Sequence, residues 1–145
     1  MAENKIEYER LEHKADAGFA VEAHSLERLY INAALALTDM LVPQQTIQEL
    51  ERRAIEVQAD DRETLMVRWL NEILFFFEKD KFLAKRILFE NFDGKHIESV
   101  LWGDTYDPIR HGLASEIKAA TYHQLKLSEV TTPELKFRAE IFVDL

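Results

Sequence analysis

Apolar and polar positions alternate in ways that divide the 145-residue chain into strands and two long helices. Between residues 8 and 24 the period is two, which predicts two short strands with a break between them. Apolar residues then recur every three or four positions over 26–41. Ser25 stands before them as an N-cap residue and Pro43 follows, so this segment is predicted to be a helix. Around 54–58 the strand period returns.

A second helix is the strongest prediction of the pattern. Asp60, followed three residues later by Glu63, is typical of a capping box. The apolar residues over 65–77 cover a wide helical face, which predicts heavy burial beneath a sheet. After that helix the period is two again, and the hairpin signal at 91–94 lies between the predicted strands of 87–101.

The last third of the chain is predicted to be mostly strand. We expect a loop over 103–112, a strand from 116 to 127, a turn at 131–133 and a final strand over 137–143. Two helices separated by strands predict an α+β fold, a two-layer domain with the two main helices packed on a mixed or antiparallel sheet. Since no repeat or linker interrupts the chain, residues 1–145 are expected to form one domain.

Composition narrows the class of protein. The chain carries 27 acidic and 18 basic side chains, a formal net charge of −9, whereas a broad phosphate-binding surface is usually basic. We therefore expect no direct binding of nucleic acid. The absence of cysteine excludes disulfides and thiolate ligands. No apolar run approaches 18 residues and the start is charged, so neither a membrane span nor a signal peptide is expected, and the predicted location is cytoplasmic.

Three polar clusters could carry chemistry, although no P-loop, GxGxxG, HExxH, GxSxG or EF-hand pattern occurs. The first cluster, at 13–18, contains Asp16 shortly before Gly18, at the break between two strands. Its carboxylate could act as a ligand at a close backbone approach. The ordinary alternative is that Asp16 accepts hydrogen bonds from turn amides.

The second cluster lies over 104–123. In a strand that starts near 116, Glu116 and Lys118 share one face and could form a solvated ion pair. His123 lies on the apolar face, where a histidine is more often a hydrogen-bonded core residue than an acid–base catalyst. His111, expected in an exposed loop, could titrate near neutral pH.

The third cluster is Asp144 with Leu145, at the end of the final strand. If Asp16 lay close to Asp144, their carboxylates and the α-carboxylate of Leu145 would repel one another unless a cation bound between them. Hard divalent ions such as Ca²⁺, Mg²⁺ and Mn²⁺ prefer oxygen-only ligands of this kind. Sequence spacing alone does not bring these residues together.

Over essentially its whole length the chain resembles the archease family, the accessory proteins of the RtcB-type RNA ligases that seal tRNA exon halves. Each matching segment is short, but all six occur in the family's order. They are His13-Lys14-Ala15-Asp16-Ala17-Gly18, Asn32-Ala33-Ala34-Leu35-Ala36, Trp69-Leu70-Asn71-Glu72, Asp107-Pro108 with Arg110-His111, Lys118-Ala119-Ala120-Thr121-Tyr122-His123, and Phe142-Val143-Asp144-Leu145.

The resemblance implies an α+β fold and a divalent metal site, most often calcium, with Mg²⁺ or Mn²⁺ as alternatives. The residues that match the family's metal positions are Asp16, Asp144 and Leu145, the last through its main-chain oxygen. Lys118 matches the residue needed to stimulate the ligase. Three histidines match motif positions to which no role is assigned: His13, His111 and His123.

An activator of this family is expected to promote guanylylation of the ligase and repeated turnover without transferring GMP itself, so the protein is not expected to be an enzyme. Two departures stand out. Lys14 occupies a position where the family more often has Thr, and Gln124 one where Gly is common. Two other classes stay open, a stand-alone metal-dependent phosphohydrolase and a general folding modulator.

Overall fold

A computed structural model describes residues 6–13 and 16–145, and at positions 12, 13 and 16 it describes the backbone alone. The strands β1 to β8 span Glu9–His13, Asp16–Ala23, Glu51–Gln58, Phe82–Phe92, His96–Thr105, Ala119–Ala120, Lys126–Val130 and Lys136–Asp144. The helices α1, α2 and α3 span Leu26–Leu41, Arg62–Asp80 and Pro108–His111, and a 3₁₀ turn spans Gln44–Thr46.

The strands form two antiparallel sheets. In the larger sheet the order is β1-β2-β8-β6, and β7 also pairs with β8. The smaller sheet has the order β3-β5-β4. Helices α1 and α2 each contact strands of both sheets. The predicted α+β class, with helices packed on antiparallel sheets, is confirmed, and the strands divide into two sheets where one was expected.

Helix α1 begins after the predicted N-cap residue, Ser25. The Ser25 side chain accepts a hydrogen bond from the Arg28 N–H at 3.1 Å, which satisfies one of the free donors of the first turn. Because α1 contacts both sheets, consecutive residues such as 33–38 are buried on all sides of the helix.

Helix α2 is capped one residue later than predicted. Asp61, not Asp60, is the N-cap residue, and its Oδ1 accepts a hydrogen bond from the Thr64 N–H at 2.7 Å. Both aspartates suit the position, and the backbone becomes extended at Asp61. Trp69 is fully buried and donates its indole N–H to the Tyr30 carbonyl at 2.8 Å, which fixes α2 against α1.

The predicted strand over 116–127 is wrong as a continuous element. Only β6 and β7 form, and both pair with β8. Between the pairs Ala120–Val143 and Lys126–Glu140, six steps along this edge oppose three along β8. The extra residues form a turn in which Gln124 has a φ of 55°, in the left-handed region. The turn therefore divides one edge strand into two parts.

Candidate functional site

Strand register brings the two ends of the predicted metal site to the same end of the larger sheet. Ala17 pairs with Val143 across β2 and β8, and the strands are antiparallel. Asp16, the first residue of β2, and Asp144, the last of β8, each lie one residue beyond that pair. Their backbones are therefore neighbours at one end of the sheet, as the metal-site hypothesis requires.

Lys118 lies on the other side of Asp144. Strand β6 pairs Ala119 with Asp144, and the Lys118 N–H donates a hydrogen bond to the Asp144 carbonyl at 2.8 Å. The Lys118 side chain is exposed, as are Asp144 and Leu145. A fixed backbone therefore presents a cationic side chain next to the acidic end of β8.

The hairpin of β1 and β2 completes this end of the sheet. His13 is the last residue of β1 and pairs with Asp16. Lys14, the departure from the family pattern beside the proposed ligand, lies outside the described residues. Because the backbone alone is described at His13 and Asp16, the register places these two residues without fixing their contacts.

Asn71 of helix α2 holds β6 in place, a role that the sequence pattern did not indicate. Its Oδ1 accepts a hydrogen bond from the Ala120 N–H at 2.8 Å, and its Nδ2 donates to the Ala120 carbonyl at 3.1 Å. Both backbone groups of Ala120 that face the helix are satisfied by one side chain. The sequence feature that could have indicated this role is an amide side chain placed between the apolar residues Leu70 and Ile73 of the helix.

Gly18 allows β2 to approach β8 closely beside the site. A Cβ at this position would lie 2.6 Å from the Phe142 ring and 2.8 Å from the Ile141 carbonyl oxygen. These separations are shorter than van der Waals contact, so a side chain would push the strands apart. The glycine is required for strand packing near Asp16.

His111 is buried, which corrects the expectation of an exposed loop histidine. Its side chain is 0% exposed. The Asp107 N–H donates to His111 Nδ1 at 2.9 Å, so Nε2 carries the proton and donates to Asp104 Oδ2 at 3.1 Å. With both ring nitrogens engaged, His111 stabilises the segment that leads towards Lys118 and does not face solvent.

Asp104 is the centre of this buried network. Its carboxylate accepts hydrogen bonds from two Arg110 nitrogens at 3.1 and 2.8 Å, from the Gln48 N–H at 3.1 Å and from His111. Burial by itself raises the pKa of Asp104, but the hydrogen bonds from Arg110, Gln48 and His111 more than offset that effect, so the pKa lies below its usual range. The network is structural and anchors the segment 105–111.

His123 does not lie on an apolar face. It is exposed, in the turn between β6 and β7, because the predicted strand is interrupted there. Glu116 precedes β6 and is also exposed, so the predicted same-strand arrangement of Glu116 and Lys118 is wrong. Of the predicted histidines, only His13 adjoins the Asp16–Asp144 end through strand pairing.

The oxygen groups at this end of the sheet suit a hard cation. Asp16 and Asp144 are carboxylate residues at neighbouring backbone positions, and Leu145 follows Asp144 with its main-chain oxygen. An oxygen-only donor set of this kind is the one that Ca²⁺, Mg²⁺ and Mn²⁺ prefer. The residues present therefore fit a divalent metal, with Lys118 as the adjacent cation.

These features define a class of small α+β protein whose candidate functional residues lie at the end of the larger sheet where β8 ends. The profile of the Archease protein family (MTH1598/TM1083) matches residues 8–145. A protein archease of Methanopyrus kandleri is 36% identical over 146 residues, covering 95% of this chain and 99% of that protein. The chain belongs to the archease family.

Other similar proteins agree with this assignment. A protein archease of Methanosarcina mazei is 33% identical over 144 residues, covering 95% of each chain. The solution structure of protein 1598 of Methanobacterium thermoautotrophicum matches with a TM-score of 0.78 at 27% identity, over 97% of this chain and 100% of that one. An archease of Thermotoga maritima, called a possible chaperone, has the same fold, with a TM-score of 0.64 at 20% identity over 93% and 94%.

Within the residues that the structure describes, no helix combines the length and the apolar character needed to cross a membrane.

Proposed function

We infer that this protein is an accessory protein of an RtcB-type GTP-dependent RNA ligase, which promotes guanylylation of the ligase and multiple turnover in tRNA splicing and RNA repair. The observation that carries the proposal is the strand register, which makes Asp16, Asp144 and Lys118 neighbours at one sheet end in a chain of the archease family. The protein acts on the ligase and does not itself transfer GMP.

The acidic end of the sheet binds a divalent cation in this proposal. Asp16, Asp144 and the main-chain oxygen of Leu145 are the ligands, and Ca²⁺ is the first expectation, with Mg²⁺ or Mn²⁺ as alternatives. The cation offsets the repulsion between two carboxylates on adjacent strands. In doing so it holds the end of β8 beside β6, and thereby the backbone of Lys118.

Lys118 is the residue that contacts the ligase. Its backbone N–H is hydrogen-bonded to the Asp144 carbonyl, whereas its side chain is exposed. The positively charged side chain therefore extends into solvent from a fixed backbone position. His13 and the exposed His123 are further contact candidates. His111 contributes only indirectly, because its ring is buried against Asp104.

The net charge of −9 suits a protein partner with a basic cleft better than it suits RNA. A ligase that binds GTP and RNA must offer such a cleft to phosphates. Stimulation then follows if the accessory protein binds the guanylylation-competent state of the ligase more tightly than the other state. Raised salt slows the association, chiefly through the on-rate.

The test measures guanylylation and multiple-turnover ligation by the ligase with RNA carrying 2′,3′-cyclic phosphate and 5′-hydroxyl ends. The variants are Asp16→Ala, Asp144→Ala and Lys118→Ala, and we expect each to lose stimulation. Matched controls are Glu116→Ala and Lys126→Ala, which remove an exposed carboxylate and an exposed ammonium near the same edge. Calcium binding by calorimetry should fail for the aspartate variants alone.

Wild-type stimulation by all three variants, with each protein folded, would refute the proposal. The same assay distinguishes the other classes. Turnover of RNA without the ligase would indicate a stand-alone metal-dependent phosphohydrolase. Equal protection of an unrelated aggregating protein would indicate a general folding modulator.

A further inference from the structure

Three side chains that the proposed function does not use converge on the exposed face of the smaller sheet. Glu56 of β3 is directly opposite Glu98 of β5 in the antiparallel register. His96 lies two residues before Glu98, so it shares the same face of β5. Cross-strand and diagonal neighbours on one face lie within side-chain reach, and the backbone therefore dictates this cluster.

The donor atoms already lie near the spacing that a metal ion requires. His96 Nε2 is 2.7 Å from Glu56 Oε2 and 3.8 Å from Glu98 Oε1, and one ligand atom from each of the three lies within 4.8 Å of the others. A metal with bonds of about 2.0–2.2 Å places neighbouring ligands about 3–3.5 Å apart. The His96–Glu56 separation is shorter than this spacing and the His96–Glu98 separation is slightly longer.

The charges of the cluster also favour a cation. Like charges placed directly opposite each other on a sheet destabilise it. Among the residues that the structure describes, His96 is the only basic side chain ion-paired with Glu56 or Glu98.

Neighbouring groups orient the ligands. Asn91 Nδ2 donates to Glu98 Oε2 at 2.6 Å, which leaves Oε1 on the side of His96. Asp93 Oδ1 accepts the His96 N–H at 2.8 Å and so fixes the start of β5. Such outer contacts are what hold metal ligands in position. The His96 side chain is 28% exposed and that of Glu98 is 41% exposed, so an ion can enter from solvent.

We propose that Glu56, His96 and Glu98 form a binding site for a first-row divalent cation of the Zn²⁺ class, separate from the oxygen-only site of the larger sheet. An imidazole combined with carboxylates suits Zn²⁺, Co²⁺ or Ni²⁺ better than Ca²⁺. Three protein ligands leave a fourth position for water or for a group from another molecule. Because the cluster lies on β3 and β5, its occupancy does not depend on Asp16 or Asp144.

The experiment titrates the untagged full chain with Zn²⁺ by calorimetry and with Co²⁺ by visible absorption. We expect one equivalent to bind, with affinity at least tenfold weaker in His96→Gln, Glu56→Gln and Glu98→Gln. The matched control is His24→Gln, which removes another exposed histidine beside a carboxylate, that of Glu134. This control should bind as wild type does.

Three further measurements complete the test. The imidazole nitrogen resonances of His96 should shift on addition of Zn²⁺, and the binding should survive Asp144→Ala. Thermal unfolding without metal should show that the three variants are folded. Zn²⁺ affinity that is unchanged in all three, or wild-type protein that binds no equivalent, would overturn the proposal and leave the cluster as a histidine–carboxylate ion pair.

Discussion

Replacement of Asp104 by Asn should destabilise the protein more than any isosteric change of an exposed carboxylate. The side chain is 0% exposed and accepts four hydrogen bonds, two of them from Arg110. In the Asn variant one carboxylate oxygen is replaced by an NH₂ group, which would face N–H donors. Arg110 also loses the negative charge of its ion-pair partner.

The magnitude follows from the bonds lost. A hydrogen bond to a charged group contributes about 1.5–3 kcal/mol, and a buried donor left without a partner costs about 1–3 kcal/mol. Part of this loss is recovered, because the Arg110 side chain is 38% exposed and can turn to solvent. We therefore expect Asp104→Asn to lower the free energy of unfolding by about 2–4 kcal/mol. The melting temperature should fall by roughly 10 °C.

The effect should depend on pH with a definite sign. The pKa of Asp104 is lower in the folded protein, so its stabilisation is fully present above the unfolded value of about 3.9. That stabilisation is lost as the pH falls through the folded pKa. The stability difference between wild type and Asp104→Asn should therefore be constant near neutral pH and should shrink below about pH 4.

Urea unfolding followed by tryptophan fluorescence at several pH values measures both quantities. The control is Asp107→Asn, which alters a half-exposed carboxylate of the same segment that caps α3. A destabilisation by Asp104→Asn no greater than that of Asp107→Asn would refute the reasoning. A difference that widens in acid would refute the assigned direction of the pKa shift.

Three further changes test the fold around the site. Gln124→Gly should raise the free energy of unfolding by about 0.5–1 kcal/mol, because glycine adopts the φ of 55° at this position without steric strain. Gln124→Ala keeps a Cβ and should not raise it. Chemical denaturation of the two variants measures the difference. Gly103→Ala should cost about 3 kcal/mol or more, or abolish folding by circular dichroism, because its Cβ would lie 1.8 Å from the Leu83 carbonyl oxygen. Asn71→Leu removes both the acceptor of the Ala120 N–H and the donor to the Ala120 carbonyl, and it should speed amide exchange at Ala120, with exchange in β3 as the internal reference.

Local patterns predicted most elements because helix and strand periods depend on near neighbours. The segment 26–41, the helix after residue 60 and the hairpin at 91–94 are confirmed. The interrupted strand between 116 and 127 was missed, since the step in register depends on pairing with β8. A local pattern contains no information about that distant partner.

The site shows the same division between local and distant information. The residues Asp16, Asp144 and Lys118 were selected by residue type and by a family resemblance, but only strand register makes their backbones neighbours. The burial of His111 could not be predicted, because it depends on Asp104 as a partner that itself looks like an ordinary loop carboxylate. Asn71 was missed for the same reason, as its function is apparent only beside Ala120.

The backbone near Lys118 is fixed from several directions, which bears on how an accessory protein would act. The Lys118 N–H is bonded to Asp144, Ala120 is bonded twice to Asn71, and the Ser115 N–H donates to the Leu41 carbonyl at 2.9 Å. These contacts come from β8, α2 and α1, so movement of this segment would disturb three elements at once. A frame held in this way loses little entropy when it binds. Under the proposed function, such a frame would favour one state of the ligase by presenting a preformed surface, and the ligase would make the larger part of any conformational change.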